Sequence, residues 1–231
     1  MRFQAFRDFE DGEMISALGF DIVLHRRSLG GLVLPSGRLV AADPIHSLDA
    51  DPFAIELEPG TYPVHLIIAE LRDERRIAYA VVDLLPTDAS RWERADLPTL
   101  STDTIFERQD EVGYSSESTL GAFLDAETAS DLLNYNQIVM PEENDYERQI
   151  WGRIKRQRRK GAGWATLDVR KDLQIHTPDE RNIIVFDAGY GDGYYDTYIG
   201  QDQDGKITSI VTDFEVLELR FPSFPLRSHG S

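Results

Sequence analysis

The residues of this chain best suited to chemistry or recognition crowd into positions 189–198, Gly-Tyr-Gly-Asp-Gly-Tyr-Tyr-Asp-Thr-Tyr. Three glycines alternate with Tyr190 and Asp192, and Tyr194, Tyr195, Asp196 and Tyr198 follow at once. Tyrosine joins a large apolar ring to a polar tip, which suits such a loop to protein recognition. Carboxylates gathered in space would suit it instead to holding Mg²⁺ or to acid–base hydrolysis. Further acids stand at the ends of expected strands or helices: Asp43, Asp125, Glu127 and Asp213. Whether they converge depends on the fold.

The elements that must position this loop are three apolar, β-rich runs, Ile183–Phe186, Tyr194–Ile199 and Ile207–Val211. Asp-Gln-Asp-Gly at 202–205 reads as the hairpin turn between the last two, because glycine supplies the positive φ of a tight reverse turn. The Gly189–Gly193 joint holds more glycine than a turn requires. At least one of its glycines is expected at positive φ, since glycine without that need only costs entropy.

Several signatures fail on inspection. The glycine loop lacks the Lys-Ser/Thr of a phosphate loop and runs into a strand rather than a helix. Aligning Gly205 with the sixth position of a calcium loop puts Gly200 and Val211 where carboxylates are required. Five scattered histidines with no close pair offer no zinc site, and no Gly-x-Ser-x-Gly elbow exists. The sequence therefore calls for no metal and no cofactor.

Asp-Ala-Gly-Tyr-Gly-Asp-Gly-Tyr-Tyr-Asp-Thr-Tyr-Ile-Gly-Gln-Asp, starting at Asp187, precedes Asp-Gly at 204 and Val-Thr-Asp-Phe at 211. Leu34-Pro-Ser-Gly-Arg-Leu-Val-Ala-Ala-Asp-Pro44 and Gly121-Ala-Phe-Leu-Asp-Ala-Glu127 lie upstream. Together these pieces resemble a bacterial family of unknown function, domain of unknown function 4241. The resemblance spans roughly residues 30 to 218 and implies a fold and a face rather than an activity. Ala188 stands where the resemblance leads one to expect a small hydroxyl residue, which speaks against a serine nucleophile at that turn.

Composition narrows the field. The length, 231 residues, and 41% hydrophobic content suit one domain with a real core, residues 1–231. No run approaches the ~18–20 apolar residues of a membrane span. The acidic N-terminus lacks an apolar signal core, and the absence of cysteine fits the cytoplasm. Forty-one acids against 24 bases give a net charge of −17, which opposes nucleic acid and anionic membranes and favours a basic protein partner. The one basic run, Arg153 to Lys160, reads as a helix end complementing the macrodipole.

In chain order, Phe3, Phe6 and Phe9 suggest a short helix within residues 1–20. Phe20–Leu24 and Gly31–Leu34 read as strands, with Arg38–Ala42 returning from Pro35-Ser36-Gly37 as a hairpin partner. Thr61–Glu70 and Arg76–Asp83 form the next pair, Arg91–Ala95 adds a short strand, and 97–118 reads as a long loop. His65, alone on its strand, favours a structural role over metal ligation. A two-helix insert over about 122–160 follows, with Asp125 as an N-cap, and the Pro-rich tail 220–231 reads as irregular.

These readings give an α+β fold: a mostly antiparallel sheet system with the helical insert packed on one face or edge. The functional expectation is an acidic, cytoplasmic protein-binding module, for instance an immunity or antitoxin-type inhibitor of a basic bacterial toxin enzyme. The alternative is a carboxylate-based hydrolase, with or without Mg²⁺, centred on the Gly-Asp-Gly loop.

Overall fold

A computed structural model describes residues 9–17, 19–95, 113–139, 145–158 and 163–217. Thirteen strands and two helices are seen there: β1 (Glu13–Ala17), β2 (Phe20–Leu34), β3 (Leu39–Ala42), β4 (Gly60–Glu70), β5 (Arg75–Asp83), β6 (Arg91–Arg94), β7 (Tyr114–Ser116), β8 (Leu120–Asp125), α1 (Ala126–Val139), α2 (Asp145–Arg158), β9 (Trp164–Asp168), β10 (Asn182–Asp187), β11 (Gly193–Tyr195), β12 (Thr197–Gln201) and β13 (Ile207–Asp213). They form a seven-stranded sheet in the order β1-β2-β4-β5-β13-β12-β6, a four-stranded sheet β3-β8-β10-β9, and a β11-β7 ribbon. Every pairing is antiparallel, and the α+β expectation holds.

The four-stranded sheet lies in the middle. Its two inner strands, β8 and β10, are buried on both faces, which is why they read as near-continuous apolar runs. Alternation along each strand then sorts the side chains. Phe123, Ile184 and Phe186 join Leu24, Leu34, Leu66, Val82 and Ile210 of the large sheet in one cluster. Leu124, Ile183 and Val185 face the other way and join Leu132 of α1 and Tyr146, Ile150 and Ile154 of α2. The i, i+4, i+8 stripe on α2 thus packs the helical pair on one face of the small sheet. No helix among the described residues is long and apolar enough to cross a membrane.

Four expectations need correction. Glu13–Ala17 is an edge strand on β2, with Ile15 opposite Ile22, and residues 1–8 lie outside the described residues. Leu39–Ala42 does not return along β2. Asp125 Oδ2 accepts hydrogen bonds from the Ser36 amide (3.0 Å) and hydroxyl (2.8 Å), drawing the turn to β8, where β3 pairs. Gly37 at φ 69° lets the backbone pass Leu57 O, only 2.0 Å from where a Cβ would sit.

The helical insert also starts later than residue 122, because Leu120–Asp125 is a buried strand before α1 begins. A Cβ on Gly121 would lie 2.2 Å from Tyr114 Oη and 2.7 Å from Phe186, so this strand passes only as glycine. Finally, Tyr194–Ile199 is two strands in different sheets, broken at Asp196. Its first part pairs with Tyr114–Ser116, inside the segment expected to be loop. The Pro-rich tail lies outside the described residues.

Candidate functional site

The glycine loop leaves β10 and turns back within five residues. Gly191 N donates to Ala188 O at 2.6 Å, with Gly189 at φ 41° and Gly191 at φ 119°. The positive-φ expectation is met at two of the three glycines. A Cβ on Gly189 would meet Phe214 Cβ at 2.7 Å, so the loop rests directly on the residue that follows β13. Tyr195 braces it from inside. Its Oη donates to Gly191 O at 2.7 Å, and its ring meets Phe214 edge to face, centroids 5.0 Å apart. Burial pushes this phenol above its usual range.

The strand alternation that turns Tyr195 inward turns Tyr194 outward. Tyr194 is 48% exposed and Tyr190 57%, and Asp192 between them faces solvent. Arg76 lies 5.2 Å over the Tyr190 ring and reaches Gly189 O at 3.4 Å. Arg76 is also ion-paired with Glu74. Tyr190, Asp192 and Tyr194 are thus the exposed side chains of this loop and the strand it enters.

The remaining candidates stand elsewhere. Tyr198, Asp196 and Asp213 form a second group where β12 begins and β13 ends. Tyr198 Oη donates to Asp196 Oδ2 at 3.3 Å, and Arg94 pairs with Asp196 Oδ1 at 2.9 Å. Burial raises the Asp196 carboxyl against the pull of Arg94. Asp213 is raised to about 7, chiefly by burial, with Glu215 and Asp196 adding repulsion and the Glu215 amide partly offsetting it.

Asp43 is fully buried and accepts five hydrogen bonds, from the amides of Ile45, His46, Glu117 and Ser118 and the hydroxyl of Ser118. Such a carboxylate holds loops together and has no lone pair left for a reactant. Asp125 caps α1 through the Glu127 amide at 2.8 Å. Glu127 turns to the buried Arg181, which also binds Asp131 and Asp179 and so clips α1 to the β9–β10 connection. The ten residues thus divide among separate places. Among the described residues no group of three or more His, Asp or Glu is placed to hold a metal.

A cleft of about 820 Å³, which no motif in the sequence marks, lies on the second face of the large sheet, opposite the shared core. His65 lies there, 5% exposed, with Nδ1 2.9 Å from Asp83 Oδ2. Arg26 Nη2 is 3.3 Å from the same oxygen and 3.2 Å from Nδ1. The β4–β5 hairpin carried the signal: His65 pairs with Val81, so Asp83 is its diagonal neighbour on the same face. Ser209 also lines the cleft but is opposite Asp83, not beyond His65, so the order of a Ser–His–Asp relay is not formed. Of the basic helix end, Arg153 is paired with Asp172 at 3.0 Å, and Arg159 and Lys160 lie outside the described residues.

No curated protein and no solved structure matches the chain. A family model described as protein of unknown function (DUF4241) matches residues 32–212, which takes in β3, β8, the glycine loop and nearly all of β13. The chain belongs to that family, the protein of unknown function (DUF4241) family.

Proposed function

We propose that this protein is a protein-binding module whose recognition surface is the glycine loop, with Tyr190 and Tyr194 as anchors and Asp192 between them. One observation carries this reading: of four large hydrophobic residues exposed among the described residues, two flank this single loop. Exposed aromatics on a braced backbone suit an interface, where energy concentrates in a few buried rings. The net charge of −17 steers such a surface toward a basic partner. An inhibitor of the immunity or antitoxin type, capping a basic bacterial enzyme in the cytoplasm, fits that description.

The test is affinity capture from the native host, followed by titration with the purified captured protein. Wild type should retain a basic protein that Tyr190→Ala/Tyr194→Ala loses. Equal binding by both would remove the loop from the interface.

A second reading, a carboxylate-based hydrolase, is favoured by Asp213. A carboxyl raised to about 7 can serve as a general acid near neutral pH, with Asp196 nearby. Asp213 would then be its centre in place of the exposed Asp192. Hydrolysis lost in Asp213→Asn but kept in Asp192→Asn would support it.

A further inference from the structure

The cleft that holds His65 belongs to neither group of sequence candidates. Its floor is built from Ile67, Val81 and Val211, residues of adjacent strands that all point to the second face of the large sheet. One wall is the segment after β5, where Leu85 stays 39% exposed at the lip. Another is Trp92, whose ring lies against Gly200, the residue opposite it in the ladder. A Cβ there would be 2.8 Å from the indole, so glycine makes room for the ring. The volume, about 820 Å³, is that of a small-molecule site.

The polar end sets the chemistry of the ligand. Asp83 Oδ2 has two donors, Arg26 and His65, so the proton of the neutral imidazole sits on Nδ1. Nε2 is then left as an acceptor at the head of the cleft. The guanidinium of Arg26 is balanced by Asp83, and Asp88 at the rim adds a second acid, in a chain already at −17. Apolar walls with an acceptor and surplus negative charge match a ligand with a hydrophobic body and a donating, cationic head.

We propose that the cleft between Trp92, Leu85 and His65 is a binding site for a hydrophobic amine. The aromatic or aliphatic body lies over Val81 and Val211. The ammonium donates to His65 Nε2 and lies within the field of Asp83 and Asp88.

Three probes share one body and differ in the head: phenethylamine, phenethyl alcohol and phenylacetate. Titrated calorimetrically at pH 8 into the full chain, phenethylamine should saturate with a Kd on the order of 1 mM, as befits so small a ligand. The alcohol should bind more weakly and phenylacetate about tenfold more weakly than the amine. Ser209→Phe, which fills the cleft, should abolish binding of all three. Asp83→Asn removes an acid from the polar end of the cleft and should narrow the advantage of phenethylamine over phenylacetate. The proposal is overturned if phenylacetate matches the amine on the wild type, if no probe saturates, or if Ser209→Phe binds unchanged. Should Asp83→Asn not fold, the wild-type head order and Ser209→Phe still decide.

Discussion

In the glycine loop the backbone is held and the chemistry faces outward; in the His65 cleft the side chains hold one another and the chemistry faces in. Gly189, Gly191 and the buried Tyr195 fix the first, and Tyr190 and Tyr194 then project outward, Tyr190 with Arg76 over its ring. The second depends on one oxygen, Asp83 Oδ2, shared by His65 and Arg26. The difference teaches where each region spends its stability. The loop's recognition residues are separable from its brace, whereas the cleft's polar residues are their own brace.

That contrast is open to attack. Tyr195→Ala should destabilise the fold by about 3–5 kcal/mol in chemical denaturation, the usual cost of deleting a buried aromatic. Tyr190→Ala and Tyr194→Ala should each stay within about 0.5 kcal/mol. Similar losses for all three would erase the distinction between brace and display. In the cleft, Asp83→Asn should cost about 1–3 kcal/mol, because the imidazole and guanidinium lose a charged acceptor. A neutral outcome there would show that the cluster does not hold itself.

Asp213 sharpens the comparison through pH, since it stands on the cleft face of β13 yet borders the loop through Phe214. Its folded-state value, about 7, lies above that of an unfolded aspartate, so the native state retains the proton more strongly. The stability it contributes is complete below about pH 4 and is lost as pH rises through about 7. Urea titrations across that window should show wild type weakening with pH and Asp213→Asn following a flatter line. Parallel lines would mean that Asp213 is not held neutral by its surroundings.

The smallest expected effect is none at all. Duplex and single-stranded probes at about 0.15 M salt should give no saturable binding, because the acidic field opposes the basic end of α2. Micromolar binding lost on neutralising Arg158, Arg159 and Lys160 would contradict that.

Much of this was legible in the residues. The β4–β5 and β12–β13 hairpins, the helical pair and the glycine turn each announce themselves through local pattern, because turns and alternation are short-range properties. What stayed hidden is long-range. Nothing near Pro35-Ser36-Gly37 shows that Asp125 will draw that turn into a second sheet. Leu120–Leu124 is buried on both faces and so lacks the alternation that marks a strand. Asp43, at the end of a strand, reads either as a turn cap or as a site carboxylate; five donors, two of them amides from residues 117 and 118, make it a structural one. His65 was visible as a lone histidine, but its partnership with Asp83 needs the hairpin register and that with Arg26 a third strand.

The central claim is that Tyr190 and Tyr194 are the energetic anchors of a partner-binding surface. Association and dissociation rates with the captured partner, measured for wild type, Tyr190→Ala, Tyr194→Ala and Asp192→Lys, test it most directly. Each tyrosine variant should lose about 1–3 kcal/mol of affinity, almost all through faster dissociation. Asp192→Lys should instead slow association and weaken its salt dependence. Unchanged dissociation in both tyrosine variants, with their folds intact, would contradict the claim.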